Sequence, residues 1–394
     1  MADQPLRVAL VNHSARLGGG ERSLVRIARR YDPARVQAVV VLGEEGPLAE
    51  RLRQLGIDVL VLPLDPRVSE RRKDTLGAAG LADPTALRLL RASVWRLRGE
   101  LRRRRIELVH TNSLKAHVWG GLAGRLAGAR VLWHVRDHVA APYLPQVAAT
   151  SVRLLARVIP HHLAAVSESV ARSVGTPASV IHQGVQLPES NGAPRTDGRL
   201  RVGIVGRIAP WKGQDVFIAA AERLAASLPD VEFVIAGAPL FGEDAFERTL
   251  RRRVARAGLE DRVRFLGFCQ DVWAVYRELD VAVHASTLPE PYGNVVLEAM
   301  ASETPIVAAA AGGVLEIVED GRTGVLVPPG DPIALAAAVE RLLGDPHERD
   351  RLARAARAQV EWRFPVTRDA EAVQDIYEQM TNRGRVNGRG RAGR

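Results

Sequence analysis

Two short stretches carry residues whose types and spacing suit a phosphorylated, sugar-bearing ligand. In Gly206-Arg207-Ile208-Ala209-Pro210-Trp211-Lys212-Gly213, a guanidinium and an ammonium flank one turn between a β-branched run and a helical pattern. Arginine offers a planar fork and lysine a point charge, a pair suited to gripping a diphosphate. For either residue alone, a solvated basic turn is the plainer reading. In the second stretch, Pro289 to Met300, Glu290 lies in a Pro/Gly loop and Glu298 sits about one turn into a helix. The apolar run VVLEAMA around Glu298 predicts a buried carboxylate, which needs donors to offset its desolvation. A ribose diol supplies two, while a surface glutamate on an amphipathic helix is the alternative. The N–H groups at the helix start, around Gly293 to Val295, suit a phosphate or sugar oxygen.

A third feature is Gly18-Gly19-Gly20, followed by Glu21 at the start of a helical pattern. Glycines between a strand and a helix let backbone N–H groups approach a phosphate or sugar closely. A tight turn is the alternative. The spacing is not G-x-G-x-x-G, so the dinucleotide fingerprint is absent and a dehydrogenase is disfavoured.

These motifs need elements to position them. LRVALV (6–11), VQAVVVL (36–42), IDVLVLPL (57–64), IELVHT (106–111) and VLWHV (131–135) read as strands, with helical patterns between them. A long arginine-rich helix spans about 84–105 and another spans 114–127. The alternation restarts after the turn-rich PESNGAPRTDG (188–198), a linker by composition. RVGIVG (201–206), VEFVIAG (231–237), VRFLG (263–267), VAVHAS (281–286), PIVAA (305–309) and GVLVP (324–328) follow, with a helix at 214–227 after the first. Two consecutive series of this kind predict an α/β chain of two facing, doubly wound, Rossmann-like domains with a cleft between them. The expected boundaries are 1–190 for the first domain and 191–365 for the second. The helix at about 366–381 would pack back on the first, and 382–394 is expected to be a disordered Gly/Arg tail.

Composition narrows the partners. Among 394 residues there is one cysteine, Cys269, which excludes a disulfide framework and fits a reducing cytoplasm. No run of apolar residues is long enough for a membrane span, and the N-terminal run is too short for a secretory signal. Residues 1–190 hold 28 Lys+Arg against 16 Asp+Glu, whereas residues 191–394 hold 27 against 29. The positive charge of the chain therefore belongs to its first half, and much of it to LRLLRASVWRLRGELRRRRIE (87–107). That basic amphipathic helix suits the inner face of an anionic membrane, or it is simply a solvated face. Nonspecific nucleic-acid binding is a remote alternative, since no helix-turn-helix, RNP or zinc-finger signature occurs. No Asp-x-Asp and no histidine/carboxylate cluster with a metal spacing is seen, so no metal and no other cofactor is expected.

The glycine-rich first loop, Gly-Arg-x4-Lys-Gly, the glutamates in Glu-x7-Glu and AAGGVLEIVEDGRTGVLVPPGD together resemble glycosyltransferase family 4, retaining nucleotide-sugar enzymes of the GT-B fold. The resemblance runs from about residue 6 to 380 and includes VSESV (166–170), HQGVQ (182–186) and FLGFCQDVWAVYRELDVAVHAS (265–286). It implies that Arg207 and Lys212 bind the donor diphosphate and stabilise the departing nucleotide. It also implies that Glu298 binds the ribose and Glu290 faces the donor sugar, with Tyr292, Gly293, Asn294 and Val295 completing that pocket. Gly19 and Gly20 would close over the phosphates and acceptor side. Gly267, Phe268 and Cys269 would line the nucleobase pocket, and Glu316 would support the donor site. Many family members place a histidine where this chain has Arg136, with His134 and His138 to either side. His110, Asn112 and Lys115 are further acceptor-side candidates, and structural histidines are the alternative reading. The implied partners are a nucleoside-diphosphate sugar and a glycan, lipid-linked or small-molecule acceptor. A nucleotide-sugar epimerase or a phosphorylase-like GT-B enzyme is the rival within the same fold.

Overall fold

The computed structural model describes residues 4–69, 83–188, 198–240 and 242–381. The expected tail at 382–394 and nearly all of the expected linker lie outside those residues. The chain divides into two compact units. One comprises the chain up to Gln183 and again from Val366, and the other comprises Gly184–Pro365.

In the first unit, β1 (Leu6–Asn12) leads to α1 (Gly19–Ala28), β2 (Val36–Leu42), α2 (Pro47–Gln54) and β3 (Asp58–Val61). Then come α3 (Pro84–Arg103), β4 (Leu108–Thr111), α4 (Leu114–Ala127) and β5 (Arg130–Val135). The series ends with α5 (Gln146–Ala156), β6 (His162–Ala165), α6 (Glu168–Val174) and β7 (Ser179–Val180). All strands pair in parallel in the order β3-β2-β1-β4-β5-β6-β7. The strand order reverses between β1 and β4, where ligands collect in open α/β sheets.

The second unit repeats the plan. It runs β8 (Arg201–Val205), α7 (Gln214–Ser227), β9 (Glu232–Ala236), α8 (Asp244–Arg256), β10 (Val263–Gly267), α9 (Val272–Arg277) and β11 (Val281–His284). It continues with α10 (Asn294–Ala301), β12 (Ile306–Ala309), β13 (Val325–Val327), α11 (Pro332–Gly344) and α12 (Pro346–Arg363). Its sheet order, β10-β9-β8-β11-β12-β13, puts the equivalent reversal between β8 and β11.

Helices cover both faces of each sheet, which is why central strands read as unbroken apolar runs. Alternation along β1 shows the two faces directly. Leu6, Val8 and Leu10 join one core, while Ala9 and Val11 join another with Val94, Leu97 and Trp119. The first of these cores also contains Val373, Ile376 and Tyr377 from α13 (Arg368–Thr381), the last helix described. β6, with the sequence HLAA, lacks the β-branched run that marks the other strands, and β7 is only two residues long, so neither is visible as a strand in the sequence.

Candidate active site

In the second unit the turn after β8 is shaped by backbone packing. Gly213 has φ +75°, and a Cβ there would lie 1.8 Å from the Ala285 carbonyl oxygen, so only glycine fits. Buried Gln214 closes the turn by donating from Nε2 to the Arg207 carbonyl at 2.9 Å. A single 3-10 turn, Pro210–Lys212, then sends Lys212 toward the loop that follows β11. There its ammonium pairs with the buried carboxylate of Glu290. The same Glu290 oxygen accepts from Ser286 Oγ at 2.7 Å and lies 3.3 Å from His284 Nε2. Burial alone would raise the Glu290 carboxyl, but Lys212 and His284 outweigh it and hold it below the usual carboxylate range. Glu290 is also fixed through its backbone. Gly313 N donates to the Glu290 carbonyl at 2.8 Å, and a Cβ on Gly312 (φ +66°) would stand 2.2 Å from that oxygen. Arg207 lies 3.4 Å from Glu243, and the Trp211 ring sits under both cations, 4.4 Å from Lys212 Nζ and 5.7 Å from Arg207 Cζ. This turn and loop lie beyond the carboxyl ends of β8 and β11, at the reversal of strand order.

The first unit has a different cluster at its own reversal. Asn112, just after β4, donates from Nδ2 to the Gly20 carbonyl at 3.1 Å and accepts from Arg136 Nε. Arg136 also donates from Nη1 to Ser23 Oγ at 2.9 Å and lies 3.3 Å through Nη2 from His134 Nδ1. The His134 ring stacks on His110 at 5.3 Å. His110 Nδ1 lies 2.6 Å from the Tyr377 hydroxyl, which is itself 2.7 Å from the Tyr31 hydroxyl. Desolvation lowers Arg136 from its ordinary range to about 10, and the nearby Arg26 cation adds to the effect. Burial likewise pushes His110 and His134 well below 6.5, with the Arg136 charge reinforcing it. His117, stacked on Trp133 at 4.8 Å, is pushed down to about 3, chiefly by burial.

Two family models match the chain: the glycosyl transferase 4-like domain over residues 18–183 and the glycosyl transferases group 1 model over residues 189–359. The chain belongs to glycosyltransferase family 4, with the two-domain GT-B fold. Among solved structures, this family 4 chain resembles Anabaena Alr3699/HepE in complex with UDP and glucose. That likeness has a TM-score of 0.80 and 28% identity, covering 95% of this chain and 99% of that one. It is 33% identical over 225 residues to the lipopolysaccharide core biosynthesis mannosyltransferase LpcC of Rhizobium leguminosarum bv. viciae, covering 55% of this chain and 64% of that protein. It is 40% identical over 184 residues to the D-inositol 3-phosphate glycosyltransferase of Salinispora tropica, covering 45% and 37% respectively. The chain spans about half the length of the curated relatives it matches.

Within this family 4 chain, the structure brings Lys212 and Glu290 into direct contact and sets Tyr292, Gly293, Asn294 and Val295 on the same loop and helix start. Glu298 departs from expectation. It is half-buried, and its neighbour is the Tyr276 hydroxyl, which donates to the Val295 carbonyl at 2.9 Å. Burial, together with contact with the Glu298 carboxylate, pushes that hydroxyl well above its ordinary range. Phe268 is 64% exposed, Cys269 is half-buried, and Glu316 ends the short 3-10 turn Gly313–Glu316. The helix expected from Glu21 already begins at Gly19, because the Gly18 carbonyl accepts from Arg22 N at 3.0 Å. Gly19 and Gly20 are therefore the first turn of α1 rather than a free loop. Asn112, His134 and Arg136 share one cluster, reaching His110 by stacking. His138 instead packs edge-on against Tyr143 at 5.8 Å, and Lys115 is half-buried on α4.

Ser286, His284, Gln214, Trp211 and Tyr377 were not singled out from the sequence. For His284 and Ser286 the signal was present, since both are polar residues closing an apolar strand run, VAVHAS. Tyr377 is distant in sequence from everything it touches. Among the described residues, no group of three or more His, Cys, Asp or Glu side chains stands close enough to hold a metal ion.

Proposed function

We propose that this protein transfers a sugar from a nucleoside-diphosphate sugar to a glycan, lipid-linked or small-molecule acceptor, with retention of anomeric configuration and without a metal ion. The observation that carries the reading is the Lys212–Glu290 pair at the β8/β11 reversal, with Arg207 on the same turn. Breaking the anomeric C–O bond leaves an electron pair, and negative charge, on the diphosphate oxygen. Arg207 and Lys212 would stabilise that charge, the term that preorganised cations supply best. Glu290 would keep Lys212 aimed and offer its carboxylate to a donor-sugar hydroxyl. Glu298 would take the ribose hydroxyls, with Phe268 and Cys269 beside the base. The acceptor oxygen bonds to the anomeric carbon on the face the nucleotide leaves, and its proton passes to the departing phosphate oxygen. Anabaena HepE, a solved relative matched over nearly its full length, holds UDP-glucose, which supports a donor of this class.

A panel of nucleotide sugars in a thermal-shift assay, each against its free nucleoside diphosphate, tests the donor half of the reading. Glu298→Ala should abolish stabilisation by the preferred donor and leave the apo melting temperature nearly unchanged. A collapsed apo melting temperature would make Glu298 structural instead.

We also propose that α3 faces an anionic membrane surface. On this helix Leu87 is 52% and Trp95 47% exposed, and Arg98 stacks over Trp95 at 4.7 Å, an apolar-plus-cationic pairing suited to a lipid interface. No described helix is long and apolar enough to cross a membrane. Sedimentation with vesicles of anionic lipid at low salt should carry the protein down, and failure to do so removes this partner.

A further inference from the structure

The two cations on the turn after β8 are drawn apart. Arg207 lies 3.4 Å from Glu243, which follows β9, while Lys212 pairs with Glu290, which follows β11. In the sheet order β10-β9-β8-β11 those two strands flank β8 on opposite sides. Each carboxylate therefore pulls its cation toward a different neighbour, and the two positive charges also repel each other. Both side chains are long and flexible, so ion pairing by itself does not keep them side by side, as a diphosphate requires.

The Trp211 ring contacts both cations. It lies 4.4 Å from Lys212 Nζ and 5.7 Å from Arg207 Cζ, within the range where an aromatic face attracts a cation. The backbone beneath it is anchored on both sides of the turn. Thr287 N donates to the Trp211 carbonyl at 2.9 Å from the β11 side, and Ile208 N donates to the Ala238 carbonyl at 3.1 Å on the β9 side. Pro210, at the start of the 3-10 turn, fixes one backbone angle directly before the tryptophan. A half-buried aromatic on an anchored turn thus stands against two flexible cations. An aromatic ring meets a guanidinium through its face, whereas phosphate oxygens bond to its N–H edge, so the two contacts are compatible.

We propose that Trp211 is a positioning residue whose ring holds the Arg207 guanidinium and the Lys212 ammonium side by side as one diphosphate clamp. This rests on the glycosyltransferase reading above and adds to it the group that spaces the two cations.

UDP and inorganic pyrophosphate are each titrated by calorimetry into full-length wild type, Trp211→Phe and Trp211→Leu. The first variant keeps an aromatic face and the second keeps only apolar bulk. Affinity for both ligands should fall about tenfold in Trp211→Leu, the scale of a partly desolvated cation–π contact, and about threefold or less in Trp211→Phe. Thermal shift without ligand reports whether each variant folds. Should Trp211→Leu fail to fold, Trp211→Met takes its place with the same expectation. Equal affinities in the aromatic and aliphatic variants would make the ring mere apolar filling and overturn the proposal. So would tighter binding in Trp211→Leu, which would mean that the ring competes with the diphosphate, or a loss confined to UDP, which would put the ring against the nucleoside. Wild type that binds no pyrophosphate also overturns it. If UDP fails to bind while pyrophosphate binding still tracks the aromatic face, the donor reading falls and the role of Trp211 stands.

Discussion

The reversals of strand order in the two sheets hold their cations in opposite ways. At β8/β11, Lys212 meets a carboxylate, and Glu290 is in turn fixed by Ser286, His284 and the Gly312–Gly313 backbone. At β1/β4, Arg136 meets only neutral atoms. An ion pair sets the position of a charge and also answers it. A neutral ring sets the position and leaves the charge to be answered by something else. The first arrangement makes loss of either partner costly, while the second leaves the charge to Asp369 and Glu21 acting through space.

The sharpest way to break this contrast is at Lys212. Lys212→Ala should lower turnover by about a hundredfold or more, the scale seen when a preorganised charge is removed. It should also destabilise the second unit by about 3–5 kcal/mol, because Glu290 is left buried without its cation. Adding Glu290→Gln should recover most of that stability and none of the turnover. Calorimetry and initial rates read both, and a single variant that keeps near-normal turnover would remove Lys212 from the chemistry.

Acid should separate the units next. His110, His117 and His134 are held neutral in the fold, below the ordinary 6.5, and each takes up a proton once unfolded in acid. The unfolded state then binds more protons, so stability rises with pH. Their contribution is complete above about pH 6.5 and falls by about 1.4 kcal/mol per pH unit for each as pH drops, down to about 3 for His117. Glu290 is depressed from 4.5, so its contribution stays intact until the pH falls below that value. Between pH 6.5 and 4.5, hydrogen exchange corrected for its intrinsic rate should therefore loosen β4 and β5 while β8 and β11 stay protected. Equal loosening of both sheets would erase the distinction.

The smallest effect should come from Tyr377→Phe. It removes a hydroxyl lying 2.6 Å from His110 and 2.7 Å from Tyr31, and should cost about 1–3 kcal/mol in the first unit. Stabilisation by UDP should be unchanged. A variant as stable as wild type would mean that the hydroxyl chain contributes little.

The two reversals also differed in how well the sequence announced them. Arg207, Lys212, Glu290 and Glu298 sit in two short stretches, with glycines whose positions follow from close backbone approach, so residue type and spacing were readable together. The cluster around Arg136 draws on five separate places: Gly20 and Ser23, Tyr31, His110 with Asn112, His134 with Arg136, and Tyr377. No local spacing links them, because the sheet brings strand ends together that are far apart in the chain. The strands were legible wherever an apolar run was long enough to show its burial, and β6 and β7 were not. Only the depth of Glu298 differs from its sequence context: apolar neighbours flank it, yet its own face of α10 is only half-covered.

The return of α13 to the first core, through Val373, Ile376 and Tyr377, bears on how the molecule is born. A ribosome releases β1 to β7 long before it has made the helix that completes their hydrophobic face. That sheet must wait, with the side carrying Leu6, Val8 and Leu10 incompletely covered, while the whole of Gly184–Pro365 is synthesised. The nascent chain is thus most vulnerable to aggregation at β1 to β7, and maturation of the first unit finishes only after the second has been made.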